Sequence, residues 1–352
     1  MAIINRPLLT DAPAAVEAGN GPHNTTAHVI IGGTRYGWDE LVVSESVSDG
    51  WAHHGIDILS DGSVVTAAPD QASVVVLGLG QRRRFQFDTD LSELHGITVS
   101  RTAEGDVLWL VDNGHKFLPA SPRYGEKISP GRVVAMTLDG RQKGELLAPQ
   151  IAAYAARPWA PCALVIDESP GGGTGDVWVA DGYGASLLHR FRSDGTHRAT
   201  IDGGASGRTF DTPHDVMIDT RRGAPELYVA DRANRRIVVL DLEGRFLRTV
   251  GEGVLSSPSA FAVSEDLLFV AELYGSLAVF DRDDRFEGFV CWGDDHNREG
   301  WPNTVDGAGA VTRPPLRPGA LNSPHGLAVD QQGAVYVTEW LIGGRVVRLF
   351  PG

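Results

Sequence analysis

Four histidines occupy one recurring position in this chain. His54, His95, His214 and His325 each stand just before a short apolar run, in the segments WAHHGIDI, SELHGITV, DTPHDVMI and NSPHGLAV. Two further segments of the same pattern, WAPCALVI and SSPSAFAV, put Cys162 and Ser259 there. The chain holds 11 histidines in all, so four in one column of six is not scatter. Imidazoles converging from different strands are a common way to hold a divalent transition metal. Zn is the first choice, Fe, Mn, Cu and Ni are also compatible, and a structural Ca²⁺ ion stays open beside it. The bland alternative is that Pro-His is a turn preference of the repeat, each imidazole bonding a neighbouring backbone group.

A second column follows. Asp112, Asp181, Asp231, Glu272 and Glu339 each end the next apolar run, and a repeated acid at a strand end usually accepts backbone N–H groups. The residues after it vary more. Tyr183 in VADGYG and Arg232 in VADRAN are expected at the same end of the fold as the histidines. A phenol near a metal can serve as general acid or base, and a guanidinium can hold a substrate anion. His54 is either a further metal ligand or a base beside the metal.

These residues need elements that bring them together. Phe210 to Gly251 reads as four short strands separated by Gly, Asp and Asn turns, which is one antiparallel sheet. Such a sheet cannot bury both faces alone, and five relatives follow from the alignment, starting at Trp51, Ser92, Trp159, Ser256 and Asn322. The last unit stops after three strands, and an orphan strand at residues 27–33 matches the missing fourth. The predicted fold is therefore all-β, a six-bladed β-propeller whose last blade is closed by an N-terminal strand, which removes the free sheet edges. The expected organisation is an N-terminal arm over residues 1–26 and a single propeller domain over 27–352. Insertions are read at 115–131, 141–158 and 294–320, long Pro- and Gly-rich loops of the kind that form lids or binding loops.

Composition limits the partners. With 42% hydrophobic and 22% charged residues over 352 positions, the chain can build a large core. A net charge of −14 offers no basic footprint for nucleic acid, and the run Arg82-Arg83-Arg84 reads as a solvated strand edge. No apolar run reaches the roughly 18–20 residues that span a bilayer. Two distant cysteines, Cys162 and Cys291, give no disulfide framework. The expectation is a cytoplasmic protein with a small-molecule substrate bearing an anionic group, and neither nucleic acid nor membrane as partner.

The Pro-His turns, the VADGY and VADR endings and the six-unit count resemble the NHL-repeat propellers, and among them the peptidyl-α-hydroxyglycine α-amidating lyase family most of all. The resemblance covers roughly residues 51–350 and is strongest over 157–252. It implies a zinc ion on His95, His214 and His325, a catalytic tyrosine at Tyr183, a substrate arginine at Arg232, and cleavage of a carbinolamine C–N bond to an amide and glyoxylate. The chain also departs from that family. The family's other arginine falls on Ala67-Ala68-Pro69, a histidine at position 54 is foreign to it, and Gly184 replaces the cysteine after the DGY tyrosine.

The reading that follows is a metal-dependent lyase acting on a small hydroxylated or carbonyl substrate in the central channel, breaking a C–N or C–O bond. Two other readings compete. One is a non-catalytic NHL propeller that binds a protein or small molecule, and the other is a sugar-lactone hydrolase, whose metal is normally held by carboxylates and Asn.

Overall fold

A computed structural model describes residues 27–43, 48–78, 83–169, 172–293 and 295–352. The arm expected over residues 1–26 lies outside them. Six antiparallel sheets are arranged as the blades of a propeller, each meandering from an innermost to an outermost strand. The innermost strands are Asp57–Ile58, Gly96–Thr102, Ala163–Ile166, Pro213–Asp219, Pro258–Ser264 and Pro324–Val329. Each touches the next around the ring, and the last touches the first.

Strand composition follows depth. The third strand of blade one, Ser73–Leu77, is SVVVL and buried at every position. Both its faces meet another blade, so apolar residues follow one another without alternation. The outermost strand of blade three, His197–Ile201, alternates between more and less exposed positions because one face meets water. Six apolar clusters lie between successive blades. Val65 and Val74 pack on Leu108 and Leu110, Val111 and Val133 on Leu164 and Val179, and the ring closes with Ile58 and Val75 against Tyr336 and Val346. Each fully buried Val or Leu contributes about 1.5–3 kcal/mol.

The ring is closed by the N-terminal segment, with a difference in register from the sequence reading. Thr34–Leu41 is the strand that pairs with the C-terminal strand Arg345–Pro351. His28–Ile31 pairs outside it as a fifth strand. Tyr36 and Trp38, two apart and both buried, face the core together with Val29 and Ile31 of the strand outside. Gly37 stands opposite Phe350, whose ring fills the space a Cβ would need.

The insertions also differ in part. Residues 115–128 form a regular hairpin, His115–Ala120 with Arg123–Ile128. Gln142–Leu146, read as loop, is the outermost strand of blade two. The segment before blade six carries a small ladder, Thr304–Val305 with Val311–Thr312, and Val311 N–H donates to Pro122 O at 3.1 Å on the tip of the hairpin. The two insertions thus meet. Arg83 and Arg84 lie exposed on an outermost strand, as the basic run suggested.

Candidate metal centre

The repeated acids fix the loops that deliver the histidines. Asp112 accepts from Ser92 N at 2.7 Å, Asp181 from Ala160 N at 2.9 Å, Asp231 from Asp211 N at 2.8 Å, Glu272 from Ser256 N at 2.7 Å and Glu339 from Ser323 N at 2.9 Å. Each ties the end of a second strand to the chain leading into the first strand of its own blade. The structural reading of this column holds.

His95, His214 and His325 come from alternate blades, two, four and six, and are all buried. His95 Nδ1 lies 2.7 Å from Cys162 O, and His214 Nδ1 lies 2.7 Å from Ser259 O, the carbonyls of the same column in the following blade. An Nδ1–H donated to a carbonyl leaves the Nε2 lone pair free, and both rings turn that atom toward the axis. His325 Nε2 and His95 Nε2 are 3.1 Å apart. Blades three and five therefore supply carbonyls where their neighbours supply imidazoles.

The fourth imidazole of the cluster belongs to His53. Ligand atoms of His53, His95, His214 and His325 all lie within 4.8 Å of one another. His53 ring centroids stand 4.5 Å from those of His95 and His325. His54, which the column alignment singled out as ligand or base, points elsewhere. Its Nδ1 meets Thr66 Oγ1 at 3.1 Å, and its carbonyl accepts from Thr338 Oγ1 at 2.9 Å. Blade one is odd-numbered, and the carbonyl of its column residue, the counterpart of those of Cys162 and Ser259, accepts from a threonine hydroxyl instead of an imidazole. Its innermost strand is also only Asp57–Ile58, which leaves His53 and His54 outside any ladder. One signal could have found His53. It stands where Pro161, Pro213, Pro258 and Pro324 stand in other units, so it breaks the consensus just before the column.

The residues present fit a metal ion. Two nitrogens bound to one tetrahedral Zn at about 2.0–2.1 Å would be about 3.3 Å apart, close to the 3.1 Å seen between His325 and His95. The Nδ1 atoms of His53 and His325 are buried without a hydrogen-bond partner among the described residues. Burial keeps all four rings neutral, as metal binding requires. It pushes His95 down to about 3 and His53, His214 and His325 well below the ordinary value, with neighbouring imidazoles and Arg232 adding to the effect. A neutral nitrogen donor set suits Zn, Cu, Fe or Ni. Among the described residues this is the one such group, and no carboxylate cluster suited to Ca²⁺ accompanies it.

Tyr183 and Arg232 stand at the cluster, at the same end of the fold as the histidines, as expected from the sequence. Tyr183 Oη is 3.0 Å from His214 Nε2 and 3.4 Å from His53 Nε2. Arg232 Nη1 donates to the same Oη at 3.2 Å, and its guanidinium lies 5.2 Å from the phenol ring centroid. Burial raises the Tyr183 pKa while Arg232 pulls it down, with a net rise, so the phenol is protonated near neutrality. Above them opens a cavity of about 460 Å³, with His53, His325, Tyr183 and Arg232 on its floor and Phe117, Trp159 and Trp340 among its walls. A hairpin strand, an interblade loop and the residue after a strand supply the aromatic walls, so no single column of the repeat marks them.

The insertion hairpin is tied down at its base. Lys116, buried, places Nζ 2.8 Å from Glu93 Oε2 and donates to Pro69 O at 2.9 Å and Trp51 O at 3.1 Å. Ala68 occupies the position in blade one where other blades carry the strand-end acid, and the Lys116 contacts lie beside it.

The sequence matches no protein-family profile, and no curated protein resembles it significantly. Solved structures do. A streptogramin B lyase superposes over 90% of this chain and 98% of its own, with a TM-score of 0.56 and 13% identity. A catalytically inactive virginiamycin B lyase from Staphylococcus aureus, solved with quinupristin, covers 90% and 99% with a TM-score of 0.53 and 12% identity. At such identities the likeness establishes the propeller fold and nothing finer. Among the described residues no helix is long and apolar enough to cross a membrane, and Cys162 and Cys291 are buried and free.

Proposed function

We propose that this protein is a metal-dependent lyase of the NHL-propeller type, cytoplasmic, acting on a small substrate with a hydroxyl or carbonyl group and an anionic group. The observation that carries the reading is the convergence of four buried neutral imidazoles with Tyr183 Oη 3.0 Å from one of them. The resemblance to the amidating lyases at His95, His214, His325, Tyr183 and Arg232 supports it, as does the lyase name of the structural neighbours. A divalent transition-metal ion, Zn first, would supply Lewis-acid polarisation of a substrate oxygen if, beside the four imidazoles, it took that oxygen as a fifth ligand.

The residues of the chain supply the rest. His53, His95, His214 and His325 would hold the ion. Arg232 holds the substrate anion by charge-assisted hydrogen bonds. Tyr183, protonated at rest, gives its proton to the leaving nitrogen or oxygen as the C–N or C–O electron pair departs. The substrate hydroxyl becomes a carbonyl, and its proton returns to Tyr183 Oη. The apolar cavity walls keep water from the phenol and strengthen these contacts.

Elemental analysis of protein purified without added metal is expected to show one ion per chain. Tyr183→Phe should keep that ion and lose about 10²–10⁴ in turnover of a carbinolamine substrate, whereas His214→Ala should weaken the ion's binding about 100-fold and lose activity. Metal and activity both intact in His214→Ala would overturn the proposal.

A further inference from the structure

We propose that the cavity above the histidine cluster selects aromatic monoanions, single-ring carboxylates or phenolates, with the ring among Phe117, Trp159 and Trp340 and the anion on Arg232. This rests on the reading of that cavity as the substrate site.

Three observations converge. The first is size. A cavity of about 460 Å³ is in the range of small-molecule sites, roughly 300–1,000 Å³, and suits one or two rings. The second is the wall. Phe117 stacks on Trp51 with centroids 4.5 Å apart, Trp51 lies 5.8 Å from Trp340, and Trp340 lies 5.6 Å from the His53 ring, so an aromatic belt runs from the hairpin to the floor. Flat rings gain from stacked or edge-on contact with such a belt, beyond the area they bury.

The third is the balance of polar groups. No carboxylate lines the cavity, although the chain carries a net charge of −14. The lining offers donors. Arg232 is the guanidinium among the lining side chains, and Tyr183 adds a phenol hydroxyl. His115, at the rim, has its Nε2 3.5 Å from Glu126, which is mostly exposed. A ligand that brings acceptors and negative charge is therefore favoured, because a cation would find no carboxylate and would meet Arg232.

The test is titration of the purified protein with phenylacetate, acetate, phenylacetamide and benzylamine, followed by calorimetry and tryptophan fluorescence. Phenylacetate is expected to bind about 10-fold or more tighter than acetate or phenylacetamide, and benzylamine not measurably. Arg232→Gln should bring phenylacetate to the level of phenylacetamide. Ile128 lines the cavity and is 71% exposed, so Ile128→Asp should fold and weaken phenylacetate about 5-fold or more by adding a like charge. Equal binding of acetate and phenylacetate, or binding of benzylamine, would overturn the inference. The same titration on metal-free protein separates the two proposals. Ring- and Arg232-dependent binding by a chain that never carries metal would leave this inference standing and remove the lyase. A metal-loaded protein without the preference would do the reverse.

Discussion

Replacing His53 and His54 separately with alanine puts the assignment of the metal centre at risk. Four-ligand zinc sites bind with about 10–16 kcal/mol, so one imidazole accounts for about 3 kcal/mol, or about 100-fold in affinity. His53→Ala should lose that much, because its ring is part of the cluster within 4.8 Å. His54→Ala removes a buried hydrogen bond to Thr66 Oγ1 and leaves a small void, costing about 1–3 kcal/mol of stability. Its carbonyl is backbone and survives the substitution. Metal affinity in His54→Ala should therefore stay within about 2-fold of wild type. Competition with a chromophoric chelator measures the affinities, and urea titration of the metal-free proteins measures stability. Loss of metal from His54→Ala with retention in His53→Ala would falsify the geometry described above.

Two further predictions concern the scaffold. Lys116→Ala strands the buried Glu93 carboxylate, whose pKa burial already raises to about 7 against the pull of Lys116. The loss should be about 3–5 kcal/mol, with faster amide exchange across 115–128, and the double variant with Glu93→Gln should recover most of it. A melting temperature within about 1 °C of wild type would refute the anchoring role. His189 is buried between Tyr154 Oη at 2.7 Å and Thr200 Oγ1 at 3.0 Å, and burial first, then His197, holds its pKa down to about 3. The unfolded chain takes up a proton below about 6.5 and the folded chain does not, so stability is full above that pH and declines as pH falls toward 3. At pH 5 this one group costs about 2 kcal/mol. Urea titrations at pH 7.5 and pH 5 should show a decline smaller by that amount in His189→Gln, and an unchanged decline would exclude the group.

The blades were legible because strands buried on both faces leave continuous apolar runs, as in Ser73–Leu77 and Val177–Asp181, and turn residues punctuate them. His95, His214 and His325 were legible for a related reason. Each sits at the start of an innermost strand that repeats in all six units, so sequence column and spatial column coincide. At His53 and His54 that coincidence fails. Adjacent residues on extended chain point to opposite sides, and blade one enters its ladder only at Asp57. A one-residue offset in the local path therefore decides which ring reaches the axis. Alignment by pattern cannot see such an offset, but the loss of proline at position 53 could have flagged it. The cavity walls were illegible on different grounds. Phe117, Trp159 and Trp340 come from a hairpin, an interblade loop and a strand end. Their convergence depends on how the insertion over blade two folds back, and Lys116 fixes that through contacts to Glu93 and to the backbone of blade one. The repeat thus encodes the cluster and the non-repeating insertion encodes what lies above it, so variants of the hairpin should alter ligand preference while leaving metal affinity unchanged.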